Sequence, residues 1–148
     1  MSTAGRAYPD HPILAVSTAV IRDGRVLLVR RASAPMEGLF TLPGGGVETG
    51  ETLLEAAVRE VREETGMVTS MPAFVGYREV ILRDPEGRVS AHYVIMATAA
   101  RWLAGEFELN EELVEGRWVA LEELERLPTT DGLAGIVMAA FRRLAATP

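Results

Sequence analysis

The part of this chain best suited to chemistry is a run of three glycines, Gly44–Gly46, followed by a cluster of glutamates. Glu60, Glu63 and Glu64 lie within five consecutive positions. On a helix, side chains three and four positions apart are neighbours, so these acids are predicted to project to one side. Crowded carboxylates repel one another unless a cation lies among them. The pattern therefore predicts a divalent-metal site beside a phosphate-binding turn, the combination needed to cleave a phosphoanhydride.

Each residue type in this pattern has a physical reason to be there. Glycine allows backbone amides to approach phosphate oxygens and adopts backbone angles closed to other residues, so Gly44, Gly45 and Gly46 are substrate-binding candidates. A tight strand-to-helix turn is a second, compatible role for them. Glu60 and Glu64, four positions apart, can offer oxygens to one cation. Hard oxygen ligands suit Mg²⁺, with Mn²⁺ as an alternative, rather than Zn²⁺.

Composition limits the partners that this chain could have. Its 148 residues fit one domain, and its formal net charge is −6. An acidic protein offers no general attraction to duplex nucleic acid or to an anionic membrane. The predicted partner is a small-molecule nucleotide, whose negative charge a bound metal would balance. The chain contains no cysteine, which excludes a thiolate nucleophile and a disulfide framework.

Targeting signals are not visible in the sequence. No apolar run approaches the ~20 residues that a membrane-spanning helix needs. Residues 1–12 contain two prolines and lack the basic-then-apolar pattern of a secretion signal. We therefore expect a cytoplasmic protein with a flexible lead-in at residues 1–12 and one domain at residues 13–148.

Hydrophobic patterning predicts the elements that position the candidate residues. The dipeptide Asp23-Gly24 is a strong hairpin-turn signal between two β-rich segments. A further turn is predicted at residues 84–87, and an acidic loop at residues 106–115. Strands are predicted at residues 13–21, 25–30, 39–42, 73–82, 89–99 and 117–120, and helical segments at 52–66, 121–127 and 133–145. This order predicts an α/β fold with a mixed sheet and helices on its faces.

The helix that follows the glycines carries the candidate acids. Thr49 or Thr52 is predicted to cap its start, and Gly66 to end it. Its apolar stripe comprises Leu53, Leu54, Ala57, Val58 and Val61. The three glutamates centre about 90° from the middle of that stripe, which predicts a position at the margin between core and solvent.

The spacing of these residues resembles the box of Nudix (MutT-like) hydrolases. Gly45 is followed after five residues by Glu51, and after seven more by Arg59 and Glu60. The remaining positions are an apolar residue, the pair of acids at 63 and 64, Gly66 and a final apolar residue. The match covers 23 residues, Gly45 to Met67. The resemblance implies an α/β/α sandwich and hydrolysis of a nucleoside diphosphate linked to another moiety.

The resemblance also implies a set of metal ligands. Glu60 and Glu64 match the principal ligands of the family. Glu63 matches a residue that acts as a ligand or as a partner of the attacking water, and the Gly44 carbonyl matches a further ligand.

The resemblance also implies residues with catalytic roles beside the metal ligands. Arg59 matches a residue that pairs with Glu51 or Glu63 and orients it. Family members often take an extra carboxylate from a loop outside the box, as base or metal ligand. Of the acids at 106, 108, 111, 112 and 115, Glu112 fits that position best and Glu115 second, although a solvated role is the alternative for each.

Other candidates lie outside the box. Arg30 and Arg31, at the end of the second strand, are placed to hold substrate phosphates or simply to flank the sheet. Four aromatic residues could stack on a base or belong to the core: Phe40, Tyr77, Tyr93 and Trp102. Trp118 is predicted to belong to the core.

The sequence thus predicts a Mg²⁺-dependent nucleotide pyrophosphohydrolase. ADP-ribose or a nucleotide sugar is one substrate class, a nucleoside or deoxynucleoside triphosphate is a second, and a diadenosine polyphosphate is a further alternative. The alternative is a non-catalytic Nudix-fold module that senses nucleotides or binds proteins, although the complete box favours the enzyme. Homodimerisation is left open, because no apolar stripe demonstrates it.

Overall fold

A computed structural model describes residues 6–33, 37–108 and 110–146. Residues 1–5 of the predicted lead-in lie outside that range. The strands are β1 Ile13–Arg22, β2 Arg25–Arg31, β3 Phe40–Thr41, β4 Gly44–Gly46, β5 Val68–Thr69, β6 Ala73–Arg83, β7 Val89–Ala104 and β8 Leu113–Ala120. The helices are α1 Leu53–Thr65, a 3₁₀ helix at Leu121–Arg126, and α2 Leu133–Ala145.

These strands form one mixed sheet, which confirms the predicted fold class. Strand β1 runs parallel to β7, with Ile13 opposite Tyr93. Strand β7 pairs on its other side with the antiparallel strand β6. Strand β2 pairs antiparallel with β1, β3 and β8, and β4 pairs antiparallel with β1.

The two helices cover opposite faces of this sheet, so the architecture is the predicted sandwich. Neighbouring residues of β2 show the division, because successive side chains of a strand point to opposite faces. Leu27 packs in a cluster with Val61 of α1, whereas Leu28 packs in a cluster with Val137 of α2. Within the three described ranges, no helix is long and apolar enough to cross a bilayer.

The ends of α1 follow from local sequence, as predicted. Of the two candidate caps, Thr52 is the one used: its hydroxyl accepts from the Glu55 amide at 3.1 Å. The Glu55 carboxylate accepts in return from the Thr52 amide, which completes a capping box. Gly66 ends the helix with a φ of 77°, a left-handed angle that glycine adopts without steric cost.

Three predictions about strands were wrong. The segment Gly44–Gly46 is a strand rather than a turn, β5 was not predicted, and β8 begins at Leu113 instead of at residue 117. Pairing across the sheet explains the last difference, since Leu113 lies opposite Arg31 and Glu115 opposite Arg30. Such pairing outweighs the low intrinsic strand preference of glycine and glutamate.

Candidate active site

The three box glutamates do not share one environment, so their predicted position at the edge of the core was wrong for two of them. Glu60 is 0% and Glu64 3% exposed, whereas the Glu63 side chain is 56% exposed. The buried face of α1 also contains Ala57 and Val61. Glu60 follows Ala57 by three positions and Glu64 follows Val61 by three, so both acids occupy the same face. Two acids are therefore packed against the sheet, and one faces solvent.

The glycines of β4 are required by close approach rather than by unusual backbone angles. All three are extended within the strand, which corrects the expectation of angles closed to other residues. A Cβ at Gly44 would collide with the Val16 carbonyl, and one at Gly45 would lie 2.6 Å from the Glu60 carboxyl carbon. Because no side chain lies between them, β4 and the α1 carboxylates are in direct contact.

Glu64 is bound to β4 and to β2. Its Oε2 atom accepts from the Gly44 amide at 3.1 Å, and its Oε1 atom lies 3.3 Å from Nη1 of Arg31. Arg31 also donates to the Gly44 carbonyl at 3.3 Å. Burial nevertheless raises the pKa of Glu64, against the opposing effects of Arg31 and the Gly44 amide.

Arg59 donates hydrogen bonds to other carboxylates of the box, those of Glu51, Glu60 and Glu63. It donates to both oxygens of Glu51, at 2.9 and 2.5 Å. Its Nη1 atom contacts Glu60 at 2.9 Å and Glu63 at 3.1 Å, and its Nη2 atom donates to the Gly46 carbonyl at 3.0 Å. The hydrogen bond with Glu51 raises the pKa of Arg59 and lowers the pKa of Glu51. The pairing predicted for Arg59 is thus present, and it includes both candidate partners.

Glu60 supplies the observation that tests whether a metal fits here. Its Oε1 atom contacts Arg59, but its Oε2 atom is buried without a hydrogen-bond partner. Burial raises the pKa of this carboxyl. No group of three or more acidic or histidine side chains in the described ranges is arranged as a ready metal cluster. The donors at α1 and β4 are nevertheless all oxygens, and a buried unpartnered carboxylate oxygen is unfavourable, so the residues fit a hard cation.

The loop before β8 places Glu112 beside this site. The Glu112 carbonyl accepts from the Ala32 amide at 2.9 Å, directly after Arg31. Asn110 accepts from the Glu112 amide at 2.9 Å and donates to the Glu64 carbonyl at 2.7 Å. Sequence reasoning missed Asn110, although asparagine commonly organises turns in this way.

Two of the other loop acids pair with arginines outside the box. Glu115 is part of β8 and pairs with Arg30 at 3.2 Å and with Arg117 at 3.0 Å. Glu106 pairs with Arg22 at 3.1 Å. Glu112 is thus linked through Asn110 to the Glu64 carbonyl, whereas Glu115 and Glu106 pair with arginines outside α1.

The two arginines that end β2 point to opposite faces. Arg31 reaches the box, as described above. Arg30 pairs with Glu115 and lies 5.8 Å from the centre of the Phe40 ring. A role of Arg30 in substrate binding stays a prediction, and Arg31 is the arginine that contacts the candidate active site.

The aromatic candidates divide between the core and the surface. Phe40 and Tyr93 are buried, whereas Tyr77 is 63% exposed. Trp102 is partly buried, and the Arg22 guanidinium lies 3.6 Å from its ring centre. Trp118 packs against the α1-side core, as predicted.

An open groove of about 260 Å³ lies along β6, between residues 78–82, Leu39 and the segment 130–131. Arg78 donates to the Thr130 hydroxyl and to the Asp131 carbonyl, both at 3.0 Å. Its Nε atom is buried without a hydrogen-bond partner, and burial lowers the pKa of its guanidinium. Sequence reasoning did not identify Arg78, since one arginine in a strand carries no distinctive signal.

Comparison with known proteins identifies relatives over most of this chain. The family model of the NUDIX domain matches residues 11–140. An ADP-ribose pyrophosphatase from Methanocaldococcus jannaschii is 36% identical over 117 residues, which are 79% of this chain and 67% of that protein. An uncharacterized Nudix hydrolase from Bacillus subtilis, YvcI, is 29% identical over 110 residues, 74% of this chain and 67% of that protein.

Solved structures agree with these relatives. A MutT NUDIX hydrolase from Burkholderia pseudomallei superimposes with a TM-score of 0.76 at 27% identity, covering 88% of this chain and 98% of that one. A MutT protein from Bacillus halodurans superimposes with a TM-score of 0.71 at 26% identity, covering 85% of this chain and 80% of that one.

Proposed function

We propose that this chain, which belongs to the Nudix hydrolase family, hydrolyses the phosphoanhydride bond of a nucleoside diphosphate linked to another moiety. The observation that carries the proposal is the burial of Glu60 and Glu64 directly against the glycine strand β4. Two buried carboxylates are unfavourable by themselves, because each loses its hydration. A cation that also binds an anhydride would compensate that cost.

Glu60 and Glu64 would hold Mg²⁺, with Mn²⁺ as an alternative, and Glu63 and the Gly44 carbonyl are the further candidate ligands. When bound, the ion lowers the pKa of a coordinated water and neutralises charge on phosphate oxygens. The chain keeps its own ligands in place through the Gly44 amide, which donates to Glu64, and through Arg59, which donates to Glu60. The backbone of Gly44, Gly45 and Gly46 provides the proposed phosphate contacts, together with Arg31, which reaches Glu64 and the Gly44 carbonyl. Arg30, on the other face of β2, stays a candidate only.

The proposed proton transfer uses the acids nearest to solvent. Glu63 is exposed and oriented by Arg59, so it can position the attacking water. Glu112, half-buried beside Arg31, is proposed to accept the proton from that water. General-base catalysis of this kind contributes about 10²–10⁴-fold to a rate. Glu51 contributes indirectly, because it fixes two of the donor atoms of Arg59.

ADP-ribose is the first substrate to test, since the relative from Methanocaldococcus jannaschii carries that activity in its name. A nucleoside or deoxynucleoside triphosphate is the second class. The groove along β6 is proposed to accept the part of the substrate that lies outside the diphosphate. We also propose a cytoplasmic location, and homodimerisation stays a prediction.

Product analysis with Mg²⁺ or Mn²⁺ tests this proposal across ADP-ribose, nucleotide sugars, nucleoside and deoxynucleoside triphosphates, NADH and dinucleotide polyphosphates. ADP-ribose and water are expected to give AMP and ribose 5-phosphate, and a triphosphate to give a monophosphate and pyrophosphate. Excess EDTA should abolish either reaction, and added Mg²⁺ should restore it. Tight binding of a nucleotide without turnover of any compound would favour the non-catalytic sensing module instead.

Substitution of Arg78 tests the role of the groove. Arg78→Ala is expected to raise KM about 10–100-fold and to change kcat little, because hydrogen bonds to a charged group contribute about 1.5–3 kcal/mol. Steady-state kinetics with the best substrate measure both constants. Arg83→Ala, an exposed arginine at the end of the same strand, is the matched control and should leave KM unchanged. An unchanged KM for Arg78→Ala would place the substrate elsewhere.

A further inference from the structure

Residues 6–12 precede β1, and we call this segment the N-terminal strap. It is attached to the β6–β7 turn and the start of β7. The Tyr8 amide donates to the Ser90 carbonyl at 3.0 Å, and the Tyr8 hydroxyl donates to Asp84 at 2.9 Å. The Arg88 guanidinium lies 4.6 Å from the centre of the Tyr8 ring. Tyr8 itself has a φ of 52°, a left-handed angle that is uncommon for residues other than glycine. Such an angle persists where surrounding contacts hold it.

Asp84, which binds Tyr8 of the strap, is held in place by the β6–β7 turn. Asp84 accepts from the backbone amides of Glu86 and Arg88, at 3.0 and 2.9 Å, and its side chain is only 8% exposed. The same carboxylate accepts from the Tyr8 hydroxyl. Because the acceptor is held by the β6–β7 turn, the position of Tyr8 is defined relative to the sheet.

Two residues earlier, the strap places Arg6 on the glycine strand. A Cβ built at Gly46 would lie 2.7 Å from both Nη1 and Nη2 of Arg6. The guanidinium thus occupies the space that a side chain at position 46 would need. The carbonyl of the same glycine accepts from Arg59 at 3.0 Å. Gly46 therefore lies between the Arg6 guanidinium, on its side-chain side, and Arg59, which donates to its carbonyl.

The register of the sheet shows on which face Arg6 lies. Gly46 is paired with Ala15, Ala15 with Ile95, and Ile95 with Arg78. Directly paired residues share a face of a sheet, so Arg6 lies on the face that bears the groove. Gly45 faces the opposite way, towards Glu60. Strand β4 thus lies between Arg6 on one face and Glu60 of α1 on the other.

We propose that Arg6 is a positioning residue of the active site, a role that rests on the proposed function. It holds Gly46 at the point from which the Gly46 carbonyl orients Arg59. Arg59 in turn orients Glu63 and contacts Glu60. Loss of Arg6 is therefore expected to lower kcat and metal affinity, with little change in KM. Gly46 is required as glycine because Arg6 occupies its side-chain space.

A double-mutant cycle of Arg6→Ala and Gly46→Ala tests this proposal. Each single variant is expected to lower kcat about 10-fold, the size typical of residues that support a metal site from outside it. The double variant is expected to be no worse than either single variant, because the Cβ at position 46 then meets no guanidinium. Arg6→Lys is expected to restore only part of kcat, since an ammonium lacks the planar guanidinium surface.

Two further variants of the strap, together with Mn²⁺ affinity, distinguish a positioning role of Arg6 from a general effect on the strap. Tyr8→Phe loses the hydrogen bond to Asp84 and should lower kcat in the same direction by a smaller factor. Asp10→Ala, an exposed residue of the strap, is the control and should match the parent protein. Mn²⁺ affinity is measured by electron paramagnetic resonance. It should be lower in Arg6→Ala and Gly46→Ala than in the parent protein, and unchanged in the control Asp10→Ala.

The possible failures can be told apart. If the parent protein hydrolyses no compound, the proposed function fails, while Mn²⁺ affinity still reports the coupling of Arg6 and Gly46. Losses in the two single variants that multiply in the double variant would overturn the positioning role. Unchanged kcat and Mn²⁺ affinity in Arg6→Ala, with only a lower unfolding temperature, would show that Arg6 merely packs against the strand.

Discussion

Replacing Glu64 with glutamine is expected to reduce kcat by about 10²–10⁴-fold, because the charge that would hold the metal is removed. The fold should survive. Glutamine has nearly the same shape, and its amide oxygen can still accept from the Gly44 amide, as the Glu64 carboxylate does at 3.1 Å. The substitution also removes the charge that pairs with Arg31 at 3.3 Å, so the unfolding temperature is measured beside kcat to separate the chemistry of Glu64 from its packing.

The measurement is the initial rate of product formation at saturating substrate and Mg²⁺, together with a thermal unfolding curve. Glu125→Gln is the matched control, because it makes the same charge change at an exposed position in the 3₁₀ helix, outside the site. It should retain parental kcat and unfolding temperature. Turnover by Glu64→Gln within a few-fold of the parent would refute the assignment of Glu64 as a metal ligand.

Arg59→Ala is expected to impair both stability and turnover. Arg59 is the cation in contact with the buried Glu60 carboxylate, at 2.9 Å. Removing one partner of a buried pair leaves an uncompensated charge and costs about 3–5 kcal/mol in the free energy of unfolding. Glu51 and Glu63 also lose their hydrogen bonds with Arg59, so kcat should fall about 10–100-fold.

Denaturant unfolding measures the first effect and steady-state kinetics the second. Arg62→Ala, on the exposed face of the same helix, is the control and should change the free energy of unfolding by less than about 0.5 kcal/mol. Arg59→Lys is expected to rescue little, because an ammonium cannot span several carboxylates. A destabilisation by Arg59→Ala no larger than that of Arg62→Ala would contradict the buried-pair argument.

A second substitution distinguishes charge from shape at this pair. Adding Glu60→Gln to Arg59→Ala neutralises the orphaned carboxylate, so part of the lost stability should return. Activity should not return, because the double variant lacks both a proposed metal ligand and its orienting arginine. Recovery of both would mean that Arg59 serves only to neutralise Glu60.

Elements with strong local signals were predictable from the sequence. The turn Asp23-Gly24 and the start and end of α1, at Thr52 and Gly66, follow from residues that act within a few positions of themselves. The predicted bounds of α2, residues 133–145, agree with the helix Leu133–Ala145. The spacing of the box also identified the family, which the match over residues 11–140 confirms.

The positions of strands that depend on distant partners were not predictable. The glycines of β4 resemble a turn in the sequence, and they become a strand only by pairing with β1. The start of β8 at Leu113 is likewise set by pairing with Arg31. In both cases hydrogen bonds to residues distant in sequence outweigh the local preference for a turn or loop. The spacing of residues in the sequence does not predict such hydrogen bonds.

The environment of the carboxylates was decided by tertiary structure alone. The sequence determined that Glu60, Glu63 and Glu64 lie on one helix beside a glycine run. Packing decided that two of them are buried and one is exposed, that Arg31 rather than Arg30 reaches them, and that Arg6 approaches from the other face of β4. The physical reason is that helical spacing fixes only the angles between side chains. The charge and burial that each carboxylate experiences depend on the strand or arginine that the rest of the chain brings against it.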